Sequence, residues 1–326
     1  MLVSVVIPCY NSSHTIREVV EQVTKVFQEL EKYSCEFVLV NDSSKDHTFQ
    51  VIQELCKTYT NVCGVDLMRN FGQHNALMCG LNYAKGDLIL GMDDDMQTHP
   101  SEIPVLLAEM EKGYDVVYGI YKKHVNSPWK NFTSWVNRET SRILLGRPKN
   151  IISSNFWLIR RSVRDEVILF KNFNPYVDAL FYRVTHNIGN VEVEHHKRAY
   201  GESNYTFKKM FGLWLSYLNY SVIPLRMVFF LGLFTSVIGI VAAVITVIRR
   251  LLDPTILVGW SSIICIIMIQ FGLVMLCLGI LGEYIGKLLL AVNAQPQYIV
   301  RTVAGLSEED KNGQKDGADH SSLLTP

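Results

Sequence analysis

The sequence has no surplus of charge of either sign, no Cys-x-x-Cys pair and no Gly-x-Gly-x-x-Gly loop. Its 31 basic and 31 acidic side chains give a formal net charge of zero. That balance excludes a general nucleic-acid binder, which needs a basic excess to neutralise phosphates. The seven cysteines (Cys9, Cys35, Cys56, Cys63, Cys79, Cys265, Cys277) are odd in number. Without paired spacing they read as reduced, mostly buried thiols, not as a zinc site or a disulfide framework. The missing glycine-rich loop excludes a nucleotide held as in a dinucleotide dehydrogenase or a P-loop enzyme. No internal repeat is visible. The apolar run from Met1 to Pro8 is too short for a signal peptide and has no basic flank, so the N-terminal part is expected to stay in the cytoplasm.

Long charge-free runs are present, and they fall late in the chain. Residues 227–248 carry no charge and are closed by Arg226 and by Arg249 and Arg250. Residues 256–282 are broken only by small polar residues and Gln270, and are closed by Glu283 and Lys287. A helix needs about 20 apolar residues to cross a bilayer core, so both runs are expected to span one. The short connection 251–255 makes them a hairpin, with both chain ends on one side. Arg249 and Arg250 oppose Lys208, Lys209, Arg226 and Lys287 in the positive-inside balance. The lack of an export signal favours the second set as the inner one. Residues 205–226 mix basic and aromatic side chains and read as an interfacial amphipathic segment. Residues 283–303 form a juxtamembrane segment, and the polar tail 304–326 is expected to be disordered. The small and aliphatic residues of the spans allow packing between subunits as a homo-oligomer.

Residues 1–204 alternate β-branched runs with amphipathic stretches. Strands are expected at Leu2 to Pro8, Phe37 to Val40, Val62 to Leu67, Leu88 to Met92 and Asp115 to Tyr118. Helices are expected at His14 to Lys32, Asp46 to Tyr59, Gln73 to Ala84 and Ser101 to Lys112. Repeated strand–helix units imply an α/β domain with a mostly parallel sheet, whose ligands bind beyond the carboxyl ends of the strands. Polar clusters fall at those ends: Pro8-Cys9-Tyr10-Asn11, Asn41-Asp42-Ser43-Ser44 and Asp93-Asp94-Asp95-Met96-Gln97. Carboxylates two apart on an extended segment can face one hard cation, and Mg²⁺ or Mn²⁺ would bridge them to a diphosphate. An acidic turn capping the next helix is the plainer reading of the three acids alone.

The motifs in order are Ser4 to Asn11, Val40 to Thr48, Arg69-Asn-Phe-Gly-Gln-His74 and Gly86-Asp87 leading to Asp93-x-Asp95-x-Gln97. Together they resemble the inverting family-2 glycosyltransferases. Gly201-Glu202-Ser203, Pro224-Leu225-Arg226, the segment Gly282 to Gly286 and Pro296-x-Tyr298 narrow the resemblance to the polyprenyl-phosphate branch, over about residues 3 to 303. The resemblance implies a glycosyltransferase A-type domain followed by a two-helix transmembrane anchor. It implies transfer from a nucleotide-diphosphate sugar to a polyprenyl phosphate such as undecaprenyl phosphate, at the cytoplasmic face of the inner (plasma) membrane. The product would serve cell-envelope glycan or lipopolysaccharide modification.

Carried over position by position, the resemblance places Pro8, Tyr10 and Asp42 around base and ribose, with Asn11 and Asp94 in the donor-binding set. It places Asp93 and Asp95 on the diphosphate and metal, with Gln97 as a further ligand. Four departures stand out: Ser12, Asn41 and Asn155 where acids are common, and Tyr121 in place of an arginine. A sugar hydroxyl acceptor normally needs a carboxylate base, whereas a lipid phosphate arrives ionised, which fits Asn155. Arg198 and Lys208 are the expected phosphate ligands. His195 and His196 could approach the metal or serve the fold. Two other readings are weighed: a processive polysaccharide synthase, which would need a Gln-x-x-Arg-Trp motif and more spans, and an inactive nucleotide-sugar or lipid-binding membrane partner.

Overall fold

The computed structural model describes residues 1–96, 98–121, 144–173, 175–194, 260–292 and 295–305, with scattered positions in 139–142 and 225–252. Gln97, His195, His196, Arg198, Lys208 and residues 205–224 and 306–326 lie outside the described residues.

Residues 1–204 and 296–326 form one compact unit, and residues 205–295 form another. The first is built on an eight-stranded sheet. Its strands are β1 (Leu2–Cys9), β2 (Ser34–Asn41), β3 (Val62–Leu67), β4 (Leu88–Gly91), β5 (Val116–Tyr121), β6 (Trp157–Arg160), β7 (Ile188–Val193) and β8 (Val300–Ala304). They lie in the order β7-β5-β6-β4-β1-β2-β3-β8. β1 pairs parallel with β2 and β4, β2 with β3, and β5 with β7, while β6 and β8 run antiparallel to their neighbours. The sheet is therefore mostly parallel, as the alternating pattern requires.

The helices of this unit are α1 (Ile16–Gln28), α2 (Thr48–Thr58), α3 (Gln73–Tyr83), α4 (Ile103–Met110), α5 (Arg161–Val167) and α6 (Val177–Val184). α1 buries Ile16, Val19, Val20, Val23 and Phe27, an apolar stripe at helical spacing that packs against the sheet core. Each such side chain contributes about 1.5–3 kcal/mol when fully buried. β1 is buried from Val3 to Cys9, as suits a central strand covered on both faces. The expected Ser101 helix divides into a 3₁₀ turn (Pro100–Glu102) and α4, with Pro100 and Pro104 in their first turns, where no N–H is needed.

Three strands lie beyond the five expected: β6, β7, which extends the sheet parallel to β5, and β8. β6 lies between β4 and β5 with Gly91 opposite Trp157, and so brings residues 151–156 back to the carboxyl end of β4. β8 closes the open edge of β3, where Arg301 meets the Asp66 carboxylate at 3.2 Å. Just before β8, the Gln297 side-chain amide donates to the carbonyls of Phe170 and Asn172, at 2.8 Å each.

The second unit contains the 33-residue helix α7 (Trp260–Val292). At about 1.5 Å per residue it is near 50 Å long. Its sequence has no Asp, Glu, Lys or Arg from Trp260 to Gly282, and the helix continues through Glu283 and Lys287. Side chains are described for only part of this helix, and among the described residues no helix is long and apolar enough to cross a membrane.

Candidate active site

β1 is flanked by β2 on one side and β4 on the other, so strand order reverses there and a crevice opens beyond the carboxyl ends. The β1–β4 ladder ends at Val6 opposite Gly91, and Pro8, which has no N–H to give, lies beyond it. Pro8 is itself buried within β1, whereas Tyr10 at the strand's exit is 47% exposed.

The chain leaves three of these strands under strain. Asn11, Ser43 and Met96 have φ of 57°, 54° and 59°, all left-handed and none of them glycine. Such residues cost about 1–3 kcal/mol each and persist where surrounding contacts fix them. Here the contacts are visible. The Asn11 N–H donates to Ser44 Oγ (3.0 Å), and Asn11 Oδ1 accepts from the Lys45 N–H (3.0 Å). The Ser12 hydroxyl donates to Asp94 Oδ2, which also accepts the Tyr10 N–H at 3.3 Å.

The three consecutive acids that follow β4 are thereby given different tasks. Asp94 turns toward the β1 loop, and burial raises its pKa against the lowering effect of the Ser12 and Tyr10 bonds. Asp93 stays half-buried, with Oδ1 accepting from the Gln73 amide and Oδ2 from the Asn155 amide, both at 2.8 Å. Asp95 is half-buried. The Tyr121 hydroxyl bonds to the Thr98 hydroxyl, and its pKa is raised by burial and then by the charges of Asp93 and Asp95. The phenol thus stands within electrostatic reach of the acidic pair.

Asp42 is 3% exposed, and its carboxylate accepts the Phe71 N–H (2.7 Å) and the Gly72 N–H (2.8 Å). It therefore holds the turn that starts α3. Burial raises its pKa, while those two bonds act in the lowering direction. Gly72 has φ +90°, which a side chain would disfavour, so glycine is needed to begin α3 at Gln73. The local capping roles fall to its neighbours. Asn41 Oδ1 accepts from the N–H and hydroxyl of Ser44, and its amide donates to Asp66 Oδ1 at 2.6 Å. Asp46 accepts from the Thr48 N–H and hydroxyl at the start of α2 and is held at a pKa of about 2, burial opposing these bonds.

His74, next in α3, accepts the Val177 N–H on Nδ1 at 3.5 Å and meets the Tyr176 ring edge-on at 4.7 Å. Burial lowers its pKa to about 4. The Arg69–His74 motif carries no sequence signal for the roles of Gln73 and His74, since both act through residues distant in the chain. Because unfolded His74 protonates near pH 6.5 and folded His74 near 4, its contribution to stability is full above pH 6.5 and lost as pH falls toward 4. Half-buried Asp178, bonded by the Tyr118 hydroxyl at 2.8 Å and raised by desolvation of its carboxylate to about 6, acts in the opposite sense between pH 6 and 3.8. A comparison with His74→Gln, which keeps an acceptor for Val177, isolates the histidine. Between pH 7 and 4.5 the parent should lose about 2 kcal/mol more stability than the variant in paired denaturant titrations. Parallel pH profiles would assign the shift elsewhere.

Residues 4–168, which hold the crevice residues from Pro8 to Asn155, match the family described as Glycosyl transferase family 2. The chain belongs to that family. It is 32% identical to the undecaprenyl-phosphate 4-deoxy-4-formamido-L-arabinose transferase of Proteus mirabilis, over 96% of this chain and 97% of that protein. The transferase of the same description from Edwardsiella ictaluri is 32% identical, over 96% and 97%. The uncharacterized glycosyltransferase YkcC of Bacillus subtilis is 31% identical, over 94% and 95%. A solved Mycobacterium tuberculosis glucosyl-3-phosphoglycerate synthase in complex with Mn²⁺, UDP-glucose and phosphoglyceric acid is 17% identical, with a TM-score of 0.49, over 67% of this chain and 79% of that one. In this glycosyltransferase the crevice between β1 and β4 is the candidate donor site. Its departures Ser12, Asn41 and Asn155 each bond to an aspartate, namely Asp94, Asp66 and Asp93.

Proposed function

We propose that this glycosyltransferase moves a sugar from a nucleotide-diphosphate sugar to undecaprenyl phosphate at the cytoplasmic face of the membrane, with inversion. The observation that carries the acceptor class is Asn155. Its amide donates to Asp93, so this position supplies a hydrogen bond and no base. A phosphate acceptor is already ionised near neutral pH and needs no proton removed, unlike a hydroxyl. The near full-length similarity to proteins described as undecaprenyl-phosphate sugar transferases points the same way.

Asp93 and Asp95 suit Mg²⁺ or Mn²⁺. They are hard oxygen donors two apart beyond a strand end, and both are half-buried. Among the described residues no group of three or more His, Cys, Asp or Glu could hold a metal. Two carboxylates suit an ion that completes its shell with diphosphate oxygens and water, with Gln97 as a further ligand in this reading. Such an ion offsets charge developing on the departing nucleoside diphosphate. Tyr10 offers its exposed ring to the base, with Pro8 and Asn11 shaping the strand exit beneath it. Asp42 and Asp94 act from below, through the turns they hold. Arg198 and Lys208 are assigned to the acceptor phosphate.

Residues 227–248 and 256–282 are assigned as two membrane spans, placing the protein in the inner membrane as a multi-pass protein. The charge-free sequence of α7 up to Gly282 supports this, as do the exposed Ile266, Ile267, Phe271 and Leu278 along it. The chain leaves the catalytic unit at residue 204 and rejoins it before β8. Both ends of the intervening unit therefore belong to one domain, which supports an even number of crossings.

The test uses purified full-length protein in detergent, undecaprenyl phosphate, Mg²⁺ or Mn²⁺ and a panel of labelled nucleotide-sugars. One donor should give a metal-dependent lipid-linked glycosyl phosphate with inverted anomeric configuration by NMR. Donor hydrolysis without lipid product, or retained configuration, would refute the reading.

A further inference from the structure

Asp93 is gripped from two sides by neutral amides, and both grips are built into the backbone. β4 and β6 are antiparallel with Gly91 opposite Trp157 and Leu90 opposite Leu158. Continuing that register two residues beyond Gly91 sets Asp93 opposite Asn155, whose amide reaches Oδ2 at 2.8 Å. The other amide comes from Gln73, the first residue of α3, which reaches Oδ1 at 2.8 Å. Its position follows from the turn before it, where Asp42 accepts the N–H groups of Phe71 and Gly72. His74 ties the same turn of helix to the start of α6 through the Val177 N–H.

We propose that Gln73 and Asn155 are positioning residues, a neutral clamp that fixes the Asp93 carboxylate in the orientation in which it binds the divalent ion. Both are exposed at the crevice, so neither is needed to fill the core. Each carboxylate oxygen has two lone pairs, so an amide bond leaves one for a cation. A cationic side chain in either place would compete with the metal for the carboxylate, and an anionic one could not donate. Amides orient the group and leave its charge for the ion.

The clamp rests on the assignment of Asp93 to the metal, and direct Mn²⁺ binding separates the two. Free Mn²⁺ is titrated into the full-length protein in detergent and followed by electron paramagnetic resonance, without donor or acceptor. Gln73→Ala and Asn155→Ala are each expected to weaken binding about fivefold, the scale of one lost hydrogen bond. In an Asp93→Asn background the same substitutions should change Mn²⁺ affinity less than twofold, because their common target is gone. Circular dichroism and melting curves should match the parent for both alanine variants. If Asp93→Asn itself leaves Mn²⁺ affinity unchanged, the metal assignment fails and the clamp with it. If Asp93→Asn weakens binding but both alanine variants bind like the parent, the metal assignment stands and the clamp is overturned. Equal losses in the parent and Asp93→Asn backgrounds also overturn it, since the amides would then act on another group.

Discussion

Asp95→Asn is expected to lower kcat for sugar transfer by about a thousandfold or more, with the fold retained. The substitution keeps the shape of the side chain and removes one of the two carboxylates assigned to the divalent ion. A metal on a leaving diphosphate offsets several kcal/mol of developing charge, and each ~1.4 kcal/mol is tenfold in rate. Asp93→Asn should be severe but smaller in effect. Its carbonyl oxygen still accepts one of the two clamping amides, while its own NH₂ opposes the other. The check is initial rates at saturating Mn²⁺, with circular dichroism to confirm the fold. Turnover of Asp95→Asn near the parent rate would remove Asp95 from the metal site.

Gly91→Ala should be the most destabilising conservative change in the catalytic unit near the site. A Cβ at Gly91 would lie 2.2 Å from Cε2 and Cζ2 of the Trp157 indole, and such contacts do not occur without movement. The indole has little room to yield: Trp157 is 2% exposed and its ring meets Phe181 edge-on at 5.1 Å. Overpacking of this kind costs about 3 kcal/mol, a fall in melting temperature of roughly 6–12 °C for a domain of this size. The effect should reach function, because β6 carries Asn155 and any displacement of Trp157 shifts the clamp. Melting curves of Gly91→Ala alone and in a Trp157→Phe background test the cause. Overlap predicts a smaller penalty beside the smaller ring. An equal penalty in both backgrounds would place the strain in the β4 backbone instead.

Much of the catalytic unit was legible in the sequence because its signals are local. The β-branched run of β1 and the helical stripe of α1 report burial on two faces and on one, and those patterns need no knowledge of neighbours. The acidic end of β4 was equally plain, since alternation along an extended segment separates Asp94 from Asp93 and Asp95. The expected helices run one to four residues beyond the observed ones at most ends, because polar first and last turns carry weak signals. β6, β7 and β8 have no strand signal of their own in the sequence. Each is short, and what makes it a strand is the partner it pairs with: β4 and β5 for β6, β5 for β7, and the edge of β3 for β8.

The sequence by itself determined the family, the mostly parallel α/β architecture and the acidic strand end, all carried by residues close together in the chain. Only the tertiary structure decided what those residues touch. It turned Asp94 inward to Ser12, set Asp42 to hold the turn before α3, and set Asn155 across from Asp93. These pairs are separated by 82, 29 and 62 positions in the chain. They are fixed by strand order and register, which arise when the whole sheet assembles and have no signature in any local stretch of sequence.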